Sequence, residues 1–476
     1  MAYLYGERKQ GMMFPASLEE YVSADDPVRA YDAFVEQLDF EALGISVESE
    51  SVGAPEYDPR AMMKLLVYGY SYGIRSSRKL ERAIYHNVSF VWLMGGLKPD
   101  HKTIARFRRD HREALKQVLK QCVRMCMKLS LIEGNTLFVD GTKMRGNASL
   151  GQSWTKKRGE KLLKKTDERI ERILAECEAT DQAEAGQRSQ VHMAEGLKEA
   201  QKLKDKIERV LKELEGGSQK SINTTDRDCR TMKSRQGVIA GYNMQSVVDD
   251  GHGLIVNADV VTDANDCTQF KVQIEQANGV LERKCEVACG DAGYASTQEL
   301  KGIDEQGIRV IVPSQDQARR KPPRAFSKDH FIYDCERDCY VCPEGHVLQY
   351  RKTDVKAGQR VYQITHFSFC HGCRFFGECT KAKQGRAIGV LIDENAKKRF
   401  EAEYEKPESQ EIYKRRKARV EHSFGHFKRN LGIQSFLLRG LRGVRAEASI
   451  LATCFNLTRM ITIMGVKKLV KAWGIG

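Results

Sequence analysis

Three acidic residues stand where local pattern meets metal chemistry. Asp140 closes the apolar run Asn135-Thr-Leu-Phe-Val-Asp140, and Asp291 closes a second, Cys285-Glu-Val-Ala-Cys-Gly-Asp291. Glu421 lies within a basic stretch of helical character between Tyr413 and Lys428. Two aspartates at the ends of buried strands and a glutamate on a helix can hold two magnesium ions, because hard divalent cations take carboxylate and phosphate oxygens. Such ions would activate an attacking oxygen and stabilise the leaving one. On the helix, Glu421, Phe424 and Lys428 are spaced i, i+3 and i+7, and seven residues return to within about 20° of one face. Lys428 can then reach a phosphate while Glu421 holds metal. A lone aspartate after a strand is most often a turn or cap residue, so the set of three carries the reading. Asp249, Asp263 and Asp266 are rivals that loop-like surroundings explain.

The elements that must position this triad follow from periodicity. Strand patterns run over 135–140, 238–248, 254–262, 285–291 and 308–313, with helices expected over 267–281, 296–306 and the Glu421 stretch. The resulting order, β-β-β-α-β-α-β-α, is that of a mixed α/β sheet: three antiparallel strands, then two added through helices. The first and fourth strands of such an order are commonly neighbours. Asp140 and Asp291 would then lie side by side although 151 positions separate them. The first strand is expected to break at Gly141.

Two insertions explain the gaps. Residues 155–221 hold a charged helical hairpin, with Leu163, Ile170 and Leu174 on one arm and Leu203, Ile207, Val210 and Leu214 on the other. Its charges read as a solvated face. Residues 320–390 are rich in cysteine. The remaining divisions are a helical region over 1–134, core segments over 135–154 and 222–319, and C-terminal helices over 391–476. In the first region Asp26-Pro27, Asp58-Pro59 and Pro99-Asp-His-Lys-Thr103 mark helix starts. Short helices before an arginine-rich one suit a helix-turn-helix-like DNA binder, in which Arg106, Arg108, Arg109 and Arg112 would meet phosphates. A solvated helix face is the competing reading.

Lys plus Arg number 78 against 64 Asp plus Glu, a formal charge of +14 that favours a polyanionic partner. No run of about 18 apolar residues occurs, which argues against a membrane span. Met1–Gln10 has no apolar signal core, so a cytoplasmic, nucleoid-associated protein is expected. No Gly-x4-Gly-Lys-Ser/Thr loop is present, so ATP dependence is not suggested. In a reducing compartment the 14 cysteines are metal ligands or buried thiols. Six of them cluster between Cys335 and Cys379. Cys339-Tyr-Val-Cys342 and Cys370-His-Gly-Cys373, separated by 27 residues, suit a structural zinc site. The gap exceeds the usual spacing of roughly 15–20 residues. Unliganded thiols are the competing reading.

The motifs Val139-Asp140-Gly-Thr-Lys143, Gly241-Tyr-Asn-Met-Gln245, Gly290-Asp291-Ala-Gly-Tyr294 and Glu421 with Lys428 resemble those of the DDE transposases of bacterial insertion sequences. Arg75-Ser-Ser-Arg78 and Pro99-Asp-His-Lys-Thr103 extend the resemblance over most of the chain. Many relatives place arginine four residues before the glutamate and tyrosine three before that. Here Lys417 and Lys414 hold those positions, and Tyr413 and Arg416 stand one residue upstream. The resemblance implies a ribonuclease-H-like fold shared with retroviral integrases, with a five-stranded mixed sheet. It implies Asp140, Asp291 and Glu421 as ligands of Mg2+ (or Mn2+), and Lys428 matches the lysine seven beyond the family's glutamate. The expected phosphate contacts are Lys428 and Lys143 together with Arg106 and Arg109 of the arginine-rich helix. Cleavage at the ends of a mobile DNA element would be followed by attack of the freed 3′-hydroxyl on target DNA, by a homodimer or higher oligomer on DNA. Related transposases often carry a cysteine at the position of Cys379, so Cys339 and Cys379 compete as the fourth zinc ligand beside Cys342, Cys370 and Cys373. The alternatives are a non-catalytic DNA-binding protein that keeps the fold, and a host nuclease of the same fold that cuts but never joins.

Overall fold

Aspartate and asparagine caps set the N-terminal helices, each accepting from backbone N–H groups that the first turn leaves free. Asp26 accepts from Val28 at the start of α1 (Pro27–Glu36), and Asp58 from Arg60 at α2 (Pro59–Ser71). Next come α3 (Ser77–His86) and α4 (Val88–Leu93), the latter capped by Asn87. Asp100 accepts from Thr103 at α5 (His101–Asp110). The expected long helix from Ile104 to Glu113 breaks at His111, and α6 (Arg112–Lys128) follows. The computed structural model describes residues 17–47, 56–182, 187–217, 219–235, 237–319, 326–355 and 358–474. The Met1–Gln10 segment lies outside the described residues.

The first strand, β1 (Thr136–Arg145), runs through Gly141 rather than ending there. A Cβ on Gly141 would stand 2.4 Å from the Gln245 amide nitrogen and 2.9 Å from an Asp266 oxygen. The glycine is required by crowding in mid-strand and is not a chain breaker. Beyond β1, β2 (Ser153–Trp154) leads into α7 (Lys156–Gln182), α8 (Gln187–Gly216) and β3 (Ile222–Asn223), which pairs back with β2. The hairpin has its own small core of Trp154, Ile207, Val210, Leu214 and Ile222. Leu203 and Leu174, expected in its seam, are exposed, whereas Ala200, Ile207, Val210 and Leu214 are buried.

The sheet continues with β4 (Arg230–Ser234), β5 (Gly237–Asp249), β6 (Ile255–Val261), β7 (Val287–Cys289) and β8 (Arg309–Ile311). The crossovers are α9 (Phe270–Leu281) and α10 (Thr297–Asp304). It has six strands in the order β4-β5-β1-β7-β8, with β6 also on β5. The expected five-strand count lacks β4, in which Met232 alone is buried, so its sequence reads as a polar linker. β1, β4, β5 and β6 pair antiparallel, while β7 and β8 add in parallel. This is a mixed α/β architecture.

After α11 (Gln315–Arg319), the strands β9 (Ile332–Asp334), β10 (Cys339–Val341), β11 (Val347–Asp354), β12 (Gln359–Ile364) and β13 (Ala387–Leu391) form a separate antiparallel sheet with α12 (Phe367–His371) beside it. Then come α13 (Glu394–Glu405), α14 (Pro407–Gly425), a π-helical turn at His426–Asn430, α15 (Leu441–Met464) and α16 (Val466–Ala472). α15 is apolar nearly all round and runs through the main core, as helices of that composition do. The N-terminal helices, the six-stranded sheet and α15 share that core. Among the described residues no single helix is long and apolar enough to cross a membrane.

Candidate active site

β1 and β7 lie side by side in parallel, with Phe138 opposite Cys289. Two residues beyond that pair come Asp140, in the middle of β1, and Asp291, just past the end of β7, so the register carried on brings them to one level. Asp291 keeps an extended backbone and accepts from Gly293 N–H at 2.8 Å, capping a single 3-10 turn. Asp140 accepts from its neighbour Gly141 N–H at 2.8 Å. Burial pushes the Asp140 carboxyl up to about 6; Arg416 pulls it back, while Asp291 and Asp266 add to the rise. Asp140 therefore senses the charge of Asp291, and the cation that would relieve it is only partly supplied.

Arg416 from α14 supplies that part. Its Nη1 stands 3.7 Å from Asp140 Oδ2, and Nε and Nη1 are buried without a hydrogen-bond partner. Burial works against its charge, and Asp140 and Asp291 more than offset this. Arg416 reaches Asp140 because α14 turns Val420 and Phe424 into the core, with Phe427 buried beyond them; Arg416 lies one turn before Val420 on the same face. Glu421 is one residue, or about 100° of helix rotation, past Val420. It is exposed and makes no hydrogen bond or ion pair among the described residues. Lys428, on the π-helical turn, donates from Nζ to Thr142 Oγ1 at 2.5 Å. Burial and Arg235 pull the Lys428 ammonium below its ordinary value, and Asp140 pushes back. Asp140 and Thr142 share a face of β1 by strand alternation. That face meets α14.

The other face of β1 carries a polar network. Asp266 accepts from Asn243 Nδ2 at 2.6 Å and Gln245 Nε2 at 2.8 Å, and pairs with Lys143 Nζ at 3.1 Å. Tyr294 Oη donates to Gln245 Oε1 and is itself buried. Lys143 is thus committed to Asp266. The sequence set Asp266 aside as a loop residue and named Arg416 only as displaced by one from the family's arginine, without a role at the site. The signal for the network was two polar residues at i and i+2, Asn243 and Gln245, inside an otherwise buried strand.

Of the expected phosphate contacts, Arg106 and Arg109 are exposed, Arg109 beside Asp110 at 2.8 Å. Arg108 is not available: it is buried and donates to Tyr70 Oη and the Arg75 carbonyl. Arg112 is half-buried. Cys342, Cys370, Cys373 and Cys379 line one cavity, and Cys339 does not. Among the described residues no three His, Cys, Asp or Glu side chains stand, as placed, close enough to hold a metal ion. Asp140 and Asp291 fit a divalent cation by donor chemistry and by mutual repulsion. Glu421 stands apart from them.

Residues 16–110 match a family model described as Transposase domain (DUF772), and residues 341–461 match one described as Transposase DDE domain. Two segments of the chain thus match transposase domains, the second of the DDE type. The second match takes in Glu421, Lys428 and the cysteines from Cys342 to Cys379, whereas Asp140 and Asp291 lie outside both spans. Among solved structures, a piggyBac transposase synaptic complex with hairpin DNA, determined by cryo-electron microscopy, aligns at 11% identity and a TM-score of 0.35. The alignment covers 94% of this chain and 79% of that one. Comparison with curated proteins gave no match.

Proposed function

We propose that this transposase cleaves DNA at the ends of a mobile element and joins the freed 3′-hydroxyl to target DNA, on a ribonuclease-H-like core. The observation that carries the reading is the pairing of Asp140 and Asp291 at one level of adjacent parallel strands, beneath a basic helix. The strand order, with the antiparallel strands β1, β4, β5 and β6 followed by the parallel β7 and β8, supports the assignment of the core. Asp140 and Asp291 would hold magnesium or manganese, with Glu421 as third ligand once α14 is seated on DNA. Bound metal would supply an activated attacking oxygen and a stabilised leaving oxygen. The chain's own residues do the rest. Lys428 holds a phosphate beside Asp140, and Arg416 exchanges Asp140 for a phosphate oxygen, for which its planar fork is suited. Lys143 and Asp266 fix the far face of β1. Arg106 and Arg109 are exposed and would meet backbone phosphates away from the site, Arg109 by exchanging Asp110 for phosphate.

The test is incubation of the full chain with magnesium and DNA bearing the element's ends. Cleavage followed by joining is expected, and both are lost in Asp291→Ala. Cleavage that survives that substitution would falsify the site. Hydrolysis without joining would instead favour a nuclease. One observation favours the non-catalytic reading, namely that Glu421 stands clear of the aspartates; that reading expects specific DNA binding without cutting.

A pH dependence follows from Asp140. Its carboxyl is raised to about 6 and must be ionised to bind metal. The apparent magnesium affinity is therefore expected to fall as pH drops through about 6, by up to about tenfold per pH unit below it. Isothermal titration between pH 5 and 8 checks this; a flat affinity across that window would remove Asp140 from the metal site.

A further inference from the structure

The cysteine-rich sheet has a core too small to hold it. Its buried apolar residues are Phe331, Leu348, Tyr362, Ile364 and Ile388, set apart from the main core. Modules of that size ordinarily need a staple, either a disulfide or a metal. Beside this core lies a cavity of about 30 Å³ whose lining includes Cys342 from the turn after β10, Cys370 on α12, Cys373 just past it and Cys379 on the turn beyond.

The backbone is arranged for these sulfurs to accept. His346 N–H points at Cys342 Sγ at 3.4 Å, Arg386 N–H at Cys370 Sγ at 3.3 Å and Phe375 N–H at Cys373 Sγ at 3.5 Å. A neutral thiol is a weak acceptor, whereas a thiolate draws such donors strongly. The turn that presents Cys342 closes through Gly345, whose φ of +82° is costly for any other residue, and Cys342 N–H donates to the His346 carbonyl at 2.9 Å. Arg386 packs over the cluster, donating to the Cys379 and Phe326 carbonyls at 2.9 and 2.7 Å. Its charge is of the sign needed beside four thiolates.

Cys339 takes no part. It sits within β10, opposite Gln349 on β11 and Asp334 on β9, and is buried in the sheet. Cys335 is exposed on the turn between β9 and β10.

We propose that Cys342, Cys370, Cys373 and Cys379 form a structural zinc site, with Cys339 excluded, that holds the second sheet together. As placed, no three of these sulfurs stand within reach of one ion, so binding would draw the four in across the cavity they line: each thiol would release its proton to solvent, and four Zn–S bonds would give a tetrahedral site with no open position. Backbone N–H groups and Arg386 then form the outer shell that such sites require. The site is structural and takes no part in DNA chemistry.

The full chain, purified reduced and without chelator, is expected to carry about one zinc per chain by atomic emission. Cys379→Ser and Cys342→Ser are expected to lower this at least about tenfold, and Cys339→Ala to leave it unchanged. Cobalt substitution of the wild type should give the intense thiolate-to-metal absorption of a four-sulfur site. Cys379→His, which restores a ligand, should recover metal with a weaker thiolate band, separating ligation from misfolding. No zinc in the zinc-saturated wild type, full retention in Cys379→Ser, or loss in Cys339→Ala would each overturn the assignment. The readout is metal content, so it stands or falls apart from the cleavage reading.

Discussion

Asp140→Asn is expected to silence magnesium-dependent cleavage while making the metal-free chain more stable at neutral pH. Metal stabilisation of transition-state charge supplies several kcal/mol. Losing it should cost on the order of 10³-fold in cleavage rate at about 1.4 kcal/mol per decade. The stability effect has the opposite sign. The Asp140 carboxyl is raised from its ordinary 3.8 to about 6, chiefly by burial, so the folded chain binds that proton more tightly than the unfolded chain. The stability this gives is fully present below about 3.8 and lost as pH rises through about 6. Asparagine keeps the neutral state at every pH. The variant should therefore melt at a higher temperature than the wild type at pH 7.5, with the gap closing towards pH 4. Magnesium should raise the wild-type melting temperature at pH 7.5 and leave the variant's unmoved. A variant that melts lower at pH 7.5 would mean that pairing with Arg416 outweighs burial. Glu421→Gln discriminates further. It should abolish cleavage if Glu421 is the third ligand, yet leave the metal-free melting temperature unchanged, because the side chain is exposed and unpaired.

The positions of the two aspartates were legible because both depend on short-range signals. Each ends an apolar run, and the strand order makes their strands neighbours. What escaped was rotation about the helix axis. Glu421, Phe424 and Lys428 share a sequence period, but the buried face is set by Val420, Phe424 and Phe427. That face carries Arg416 to Asp140 and leaves Glu421 on the flank. The π-helical turn at His426–Asn430 adds a local change of pitch that no heptad count anticipates. β4 escaped because a strand with one buried side chain has no alternation to read. Arg108 looked like a phosphate ligand because arginine is usually exposed; its burial depends on the Arg75 carbonyl and Tyr70, which no local pattern reveals. For the cysteines, the paired spacing favoured Cys339 as fourth ligand and the family resemblance favoured Cys379. Strand placement separates them, since Cys339 lies within β10 and Cys379 on the turn beyond α12.

Glu447→Ala is expected to produce the largest loss of stability, and the reason joins the two spans that match transposase models. Glu447, on α15, is fully buried. It accepts from Arg75 Nη1 at 2.5 Å and from the backbone N–H groups of Leu437 and Leu438, each at 2.9 Å. Arg75 also donates to the Ser435 carbonyl at 3.0 Å, and its own carbonyl accepts from Arg108. The segment these bonds hold in turn pairs with the end of β1, since Phe436 N–H donates to the Arg145 carbonyl at 2.9 Å. One carboxylate therefore ties residues of the 16–110 span, the loop before α15 and the strand that carries Asp140. Removing it leaves the Arg75 guanidinium with the Ser435 carbonyl but no counter-charge, and the Leu437 and Leu438 N–H groups without this acceptor. Breaking a buried pair from one side costs about 3–5 kcal/mol, so the melting temperature should fall on the order of 5–10 °C or more. Arg75→Met alone should be damaging for the converse reason, since it strands the carboxylate. Arg75→Met combined with Glu447→Leu should recover part of the loss, because no unpaired charge remains, although the Leu437 and Leu438 N–H groups stay unsatisfied. Thermal melts of the three variants, analysed as a double-mutant cycle, measure the coupling. Additive losses would show that Arg75 and Glu447 act independently, and the clamp between the N-terminal helices and β1 would have to be sought elsewhere.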